Sequence, residues 1–228
     1  METSTALVVM AKQPRIGFTK TRLCPPFSPQ QAAEFYEAML LDTFALVCSL
    51  PEVQLAVAIT PATASGYFEQ VMPQGTLLLP VAGADIGECL AQATGALFTA
   101  GFRKVIALNS DGPSLPRDYL LQAINLLEKN DVVLGPGEDG GYYLIGLKSP
   151  CPELFQQINW STSLVLKQTL ARLKTLVLHV ALTPIWYDVD TIQEVARLAT
   201  ELVSLPPELL THTRCFFEKS PFAEGSTQ

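Results

Sequence analysis

The sequence predicts an α/β fold, a mostly parallel sheet with helices on both faces, and three observations carry that prediction. Short apolar runs alternate with stretches of three-and-four periodicity from the N-terminus to about residue 203. Hydrophobic residues make up 48% of the 228-residue chain and charged residues 16%, which is enough for a sizeable core in one domain. Stretches rich in glycine, proline and acids follow the apolar runs directly, at strand ends where open α/β sheets collect ligands. A single domain over residues 1–228 is expected, with a loosely defined tail from about 206.

Residues 7–10 are an aliphatic and β-branched strand that breaks into turn residues. Pro29 opens a helix over 30–48, with Ala33, Phe35, Tyr36, Met39, Leu40, Phe44 and Val47 on its buried face. A strand over 53–59 is stopped by Pro61, and residues 62–72 suit a short helix. A brief apolar run at 77–79 precedes a loop containing Gly83 and Gly87, then a helix that ends at Gly101. A strand over 104–108, a helix started by Pro116 and a strand over 131–134 follow. The turn GPGEDGG leads into a strand over 142–147. The pattern closes with a helix over 161–174 capped by Ser161 or Thr162 and a strand over 176–180. A last helix starts at Thr191, with Glu194 completing a capping box.

Charge and cysteine usage exclude several classes of function. Lys plus Arg number 15 against 22 Asp plus Glu, a net charge of −7, the opposite of a non-specific nucleic-acid binder. An acidic protein that binds phosphate must gather its few cations locally or recruit a divalent metal. The N-terminal apolar run is too short to span a bilayer and has no basic region before it, so a cytoplasmic protein is expected. Five scattered cysteines without a close pair argue for reduced thiols and against zinc. His179 and His212 lack paired ligands and read as structural.

Four stretches can carry chemistry. Lys12, Lys20 and Arg22 lie around Gly17 in the loop after the first strand, where backbone N–H groups and cations can face an anion together, although no Walker A spacing is present. Asp111 follows the strand over 104–108 in a Gly-Pro turn. It can ligate Mg²⁺ or Mn²⁺ that grips a diphosphate, or simply cap an ordinary turn. Glu138, Asp139, Gly140 and Gly141 form a second acidic turn before Tyr142. The glycines permit close approach of a ligand or another backbone, and Asp139 can act on an acceptor hydroxyl. Asp188 and Asp190 flank Val189 in an extended piece and point the same way. Asp190 is assigned to the metal, and the remaining acid suits the start of the following helix. Trp160 suits either a stacked base or a core plug.

Six blocks in order extend the reading. MAKQPRIGFTKTRL, ADIGECL at 84–90, SDGPSL at 110–115, DVVLGPGEDGGYYLIGL at 131–147, INWSTSLVLKQTL at 158–170 and DVDTIQEVARL at 188–198 resemble the bacterial glycosyltransferase-A-like family first catalogued as a domain of unknown function. The first block is also similar, more distantly, to the nucleotide-binding signature of phospholactate, phosphoenolpyruvate and molybdenum-cofactor guanylyltransferases. The resemblance implies a Rossmann-like nucleotide-diphospho-sugar transferase fold, its sheet mixed rather than wholly parallel, with nucleotide at the first loop and metal at Asp111. Two departures stand out. Asn109-Ser110-Asp111-Gly112-Pro113 replaces the usual Gly-Thr-Asp-Cys-Pro box but keeps the acid, and Cys89 replaces a usual Arg, removing an expected phosphate or substrate contact.

The resulting expectation is a transferase taking a nucleotide or nucleotide-sugar donor, a small-molecule acceptor and Mg²⁺ or Mn²⁺. Glycosyl transfer leads, nucleotidyl transfer with pyrophosphate release is the alternative, and a silent nucleotide-binding module motivated by Cys89 is the third. Lys12, Gly17, Lys20 and Arg22 are assigned to nucleotide phosphates, Asp111 and Asp139 to catalysis and Asp111 with Asp190 to metal. Asp85, Glu138, Gly140, Gly141 and Tyr142 are assigned to substrate. One geometric requirement follows: Lys20 and Asp111 must share a rim of the sheet.

Overall fold

The computed structural model of the protein describes residues 4–220. Seven strands, β1 (Thr5–Lys12), β2 (Val53–Thr60), β3 (Leu77–Pro80), β4 (Lys104–Leu108), β5 (Val132–Pro136), β6 (Tyr142–Leu147) and β7 (Val180–Leu182), form one sheet in the order β3-β2-β1-β4-β6-β5-β7. All neighbours are parallel except β6, which runs antiparallel to both β4 and β5. The chemistry of the connections explains this. β5 and β6 are joined by the short glycine-rich turn, too short for a crossover, whereas parallel neighbours need a long return path.

Strand alternation divides the core between two faces. Leu7, Val9 and Ala11 of β1 enter one apolar cluster, and Ala6 and Val8 enter the other. The first cluster takes α1 (Pro29–Cys48), α4 (Arg117–Leu126) and α6 (Ile192–Ser204), while the second takes α3 (Ile86–Thr99) and α5 (Val165–Thr175). Residues α2 (Ser65–Val71) contribute Phe68 to the first cluster. Sheet order places a topological switch point between β1 and β4, where the chain leaves in one direction toward β2 and in the other toward β6. The last β1–β4 pair is Val9 with Leu108, yet β1 continues to Lys12. Its end therefore stands beside the Asn109–Asp111 turn.

Three expected elements differ. The helix expected over 161–174 begins only at Val165, with no side-chain cap. Ser161 lies at φ 61, and the preceding stretch wraps the acidic turn, Leu166 N–H donating to Gly140 O at 3.0 Å. The strand expected over 176–180 is β7 instead, because Leu176 to Leu178 close α5: Leu178 N–H donates back to Leu173 O at 3.1 Å. The tail expected to be loose from 206 contains α7 (Thr211–Lys219). Buried Asp42 of α1 accepts the N–H groups of His212 and Thr213 at 3.1 and 2.8 Å, satisfying first-turn donors of α7. Phe216 then packs against Phe35 and Phe27 at 5.1 and 5.6 Å between ring centroids. Mixed polar and apolar composition hid that helix, since its anchor is an acid far away in sequence.

Candidate functional site

The first loop is pinned at both ends. Gln13 N–H continues the sheet by donating to Thr60 O at 3.0 Å, and Arg15 N–H donates to Thr19 Oγ1 at 2.9 Å while Phe18 and Thr19 N–H turn back onto Arg15 O. Gly17 takes φ 78, a left-handed turn that a side chain would strain. Lys12, Arg15 and Arg22 are exposed around this turn, and the Arg15 guanidinium lies 4.8 Å from the Phe18 ring centre. Lys20 does the opposite. Its side chain is only 6% exposed and crosses to the acids on the neighbouring loops.

There its ammonium meets Asp111 Oδ1 at 2.7 Å, Asp190 Oδ1 at 2.6 Å and Val189 O at 2.8 Å. The required shared rim is therefore present, and the two halves of the site touch. Burial alone would lower the Lys20 pKa, but Asp111 and Asp190 outweigh it and hold the ammonium above its ordinary range. Backbone and side chains fix the acids. Val189 N–H donates to Asp111 O at 2.8 Å, and Glu194 Oε2 accepts the N–H groups of Asp190 and Thr191 at 2.8 and 2.7 Å, the acidic half of the expected capping box.

Asp188, given the lesser role from sequence, is the most perturbed acid of the group. Asn109 Nδ2 donates to both its oxygens at 2.8 Å, yet burial first and neighbouring Asp111 second push its pKa up to about 7. Asp188 thus lies buried beside Asp111, which together with Asp190 holds the Lys20 ammonium. Tyr36, read from sequence as an ordinary core position, accepts Lys12 N–H at 3.1 Å and shares a 2.8 Å hydrogen bond with Ser110 Oγ, which also donates to Met10 O at 3.2 Å. Burial, then Asp111, push its hydroxyl up to about 12. It clamps the end of β1, where the first loop begins, to the Asp111 turn. Sequence reasoning missed it because a core-facing helical position carries no signal of a polar partner, and it passed over Arg15 although that residue shares the loop.

The other predicted site residues are each held by structural partners. Asp139, exposed, accepts Gly141 N–H on Oδ1 at 2.9 Å, and Glu138 accepts Arg197 Nη1 on both oxygens at 3.0 Å. Gly140, at φ 87, meets another backbone rather than open space: a Cβ there would lie 2.4 Å from Ser163 O. Asp85 caps α3 through Glu88 N–H at 2.9 Å. Trp160 plugs the gap above α3, where a Cβ on Gly87 would come 2.3 Å from its Nε1, and Tyr142 stands edge-on to it at 6.3 Å. Cys89 is buried, and burial raises its thiol pKa, the wrong direction for a nucleophile. All five cysteines are free.

Among the described residues no group of three or more His, Cys, Asp or Glu side chains stands ready to hold a metal ion, and no helix is long and apolar enough to cross a membrane. The donor chemistry nevertheless suits a hard divalent cation: carboxylate and carbonyl oxygens only, clustered around an ammonium.

Residues 43–162 match the model of the family described as "Uncharacterized protein conserved in bacteria (DUF2064)". A phosphoenolpyruvate guanylyltransferase of Mycolicibacterium paratuberculosis is 30% identical over 125 residues, 52% of this chain and 54% of that protein. The chain spans about half the length of this curated relative. The crystal structure of a candidate nucleotide-diphospho-sugar transferase from Desulfovibrio desulfuricans G20 superposes with a TM-score of 0.87 at 26% identity, covering 95% of both chains. Rv0371C of Mycobacterium tuberculosis H37Rv, solved in complex with manganese, shares the fold at a TM-score of 0.51 and 17% identity, covering 87% of this chain and 98% of that one. The mixed, mostly parallel sheet is the nucleotide-diphospho-sugar transferase fold that the six blocks implied.

Proposed function

The chain belongs to this bacterial family, and we propose that it is a divalent-metal-dependent nucleotidyltransferase that joins a nucleoside monophosphate unit to a small anionic acceptor. The convergence of Lys20, Asp111, Asp188 and Asp190 at the β1–β4 switch point is the observation that carries this reading. Likeness to a guanylyltransferase and to a fold relative solved with manganese supports it.

In this reading Lys12, Arg15 and Arg22 line the triphosphate, with N–H groups of the turn around Gly17 beside them. Asp111 and Asp190, joined by Asp188, would hold Mg²⁺ or Mn²⁺. When bound, that cation supplies charge neutralisation at the phosphates. An acceptor oxygen attacks the α-phosphorus, the bond from that phosphorus to the α,β-bridging oxygen breaks, and pyrophosphate leaves carrying the electron pair. The loop cations oppose the charge that builds on the leaving group. A phosphate or carboxylate acceptor is already anionic and needs no base, which fits an Asp139 committed to its own turn. Asp85, Glu138, Asp139, Gly140, Gly141 and Tyr142 then shape the acceptor side as positioning residues.

A second reading, sugar transfer from a nucleotide diphosphosugar, is favoured by likeness to the Desulfovibrio protein. The leaving group separates the two. Nucleoside triphosphates and nucleotide sugars are incubated with phosphorylated three-carbon acids and Mg²⁺, and products are read by ³¹P NMR. Pyrophosphate release that depends on acceptor and metal is expected. Release of nucleoside diphosphate from a sugar donor would move the assignment to the second reading, and no turnover of either donor class would refute both.

A further inference from the structure

The side chain of Lys20 is buried where its loop neighbours Lys12, Arg15 and Arg22 are exposed. Its three ammonium hydrogens are matched by three oxygens, Asp111 Oδ1, Asp190 Oδ1 and Val189 O, all within 2.6 to 2.8 Å. Two of these oxygens belong to the carboxylates assigned to the metal. An ammonium and a divalent cation cannot share those oxygens closely, because each would lie within a few ångströms of a like charge in a partly dehydrated corner. The backbone of Lys20 is fixed, at φ 50 and ψ 39, ahead of the single helical turn Thr21–Leu23, so the flexible part is the four-carbon stem. Turning that stem back toward the first loop would bring Nζ among Lys12, Arg15 and Arg22, where a polyphosphate supplies the negative charge it leaves behind.

We infer that Lys20 and the divalent cation are alternative occupants of the carboxylate corner, so that nucleotide phosphate admits the metal by drawing the lysine away. This rests on the nucleotidyltransferase reading and adds a rule of assembly to it. The ammonium keeps Asp111 and Asp190 paired when no nucleotide is present. Metal and nucleotide then bind with positive coupling, and by linkage each raises the affinity of the other by the same factor.

The test is Mn²⁺ binding without nucleotide, read by loss of the free-ion electron paramagnetic resonance signal, on the full chain and three variants. Lys20→Met is expected to bind Mn²⁺ at least about tenfold more tightly than the parent protein. Lys12→Met, with the same change of charge in the same loop, is expected to alter the affinity by less than about threefold. Asp111→Asn is expected to bind weakly. Equal affinities for parent and Lys20→Met, with Asp111→Asn defective, would overturn the inference and leave the metal site standing. An equal gain in Lys12→Met would reduce the effect to general charge and also overturn it. An unaffected Asp111→Asn would instead refute the placement of the metal, and with it the reading beneath. Should Lys20→Met fail to fold, the parent protein decides by mass-spectrometric mapping of acetic anhydride labelling. Lys20 is expected to react slowly alone and at least about threefold faster at saturating Mn²⁺, and an unchanged rate with Mn²⁺ bound would show that the two cations coexist.

Discussion

Two acidic turns stand at the same edge of the sheet, one after β4 and one after β5, and they use their charge in opposite ways. Around Asp111, two carboxylates from two loops share one buried lysine, and Asp188 beside them has its pKa pushed up to about 7, by burial first and by Asp111 second. In the Glu138–Asp139 turn every charge is answered nearby: Asp139 by Gly141 N–H, Glu138 by Arg197, and Arg197 in turn by Glu201 at 3.3 Å and by the Tyr187 ring at 3.6 Å. The first corner holds in Asp188 a buried carboxyl whose charge is incompletely met, and the second turn holds a finished structure. Unmet demand marks a ligand site more sharply than the number of acids does.

Asp111→Asn tests that contrast most strongly. It is expected to reduce metal-dependent nucleotide affinity by at least the roughly 10- to 100-fold that loss of an outer partner of a metal costs, measured by titration with and without Mn²⁺. A smaller effect follows from the clamp beneath it. Tyr36→Phe strips the partner from Lys12 N–H and Ser110 Oγ in a buried place, a loss of about 1–3 kcal/mol in chemical denaturation. On the proposed function it is also expected to weaken nucleotide binding several-fold, since the first loop and the Asp111 turn are no longer tied. A stability loss with unchanged binding would show that the loops hold their relation without the clamp.

Much of this was legible in the residues. Short apolar runs located most strands because burial on both sheet faces makes them continuously apolar, periodicity located most helices, and Thr191 with Glu194 announced α6. The shared rim of Asp111 and Lys20 was legible because a glycine or proline turn after an apolar run marks a strand's end. What escaped depends on contacts between distant segments. The late start of α5 is set by Gly140 and Ser163, α7 is anchored by Asp42, and the relative standing of Asp188 and Asp190 is set by Asn109 and Lys20. A carboxylate in a turn reads the same in one dimension whether its partner is a neighbouring N–H or a lysine from another loop. For this reason Asp139 and Asp111 looked alike.

On the finished side of the comparison the effects are expected to be small. Arg197→Ala breaks a largely exposed ion pair with Glu138 and the contact with the Tyr187 ring. A stability loss of about 1 kcal/mol or less is expected in urea titration, with turnover nearly unchanged. A marked fall in turnover would mean that Glu138 must itself be oriented for substrate rather than support the acceptor side only through its turn.

Asp139→Asn divides the two turns most finely. Asparagine keeps the Oδ1 acceptor for Gly141 N–H and removes only the charge, which is exposed to solvent. If the residue acts solely through its turn, stability should change by no more than about 0.5 kcal/mol and turnover should stay within about twofold. If it serves as the base for an acceptor hydroxyl, the same change should lower turnover on the order of 10²–10⁴-fold while leaving the denaturation midpoint in place. Asp139→Ala controls for the turn itself, because it removes the acceptor as well and is expected to cost about 1 kcal/mol. Loss of turnover in the asparagine variant with its stability intact would overturn the assignment of an acceptor that needs no base, and would favour transfer to a hydroxyl.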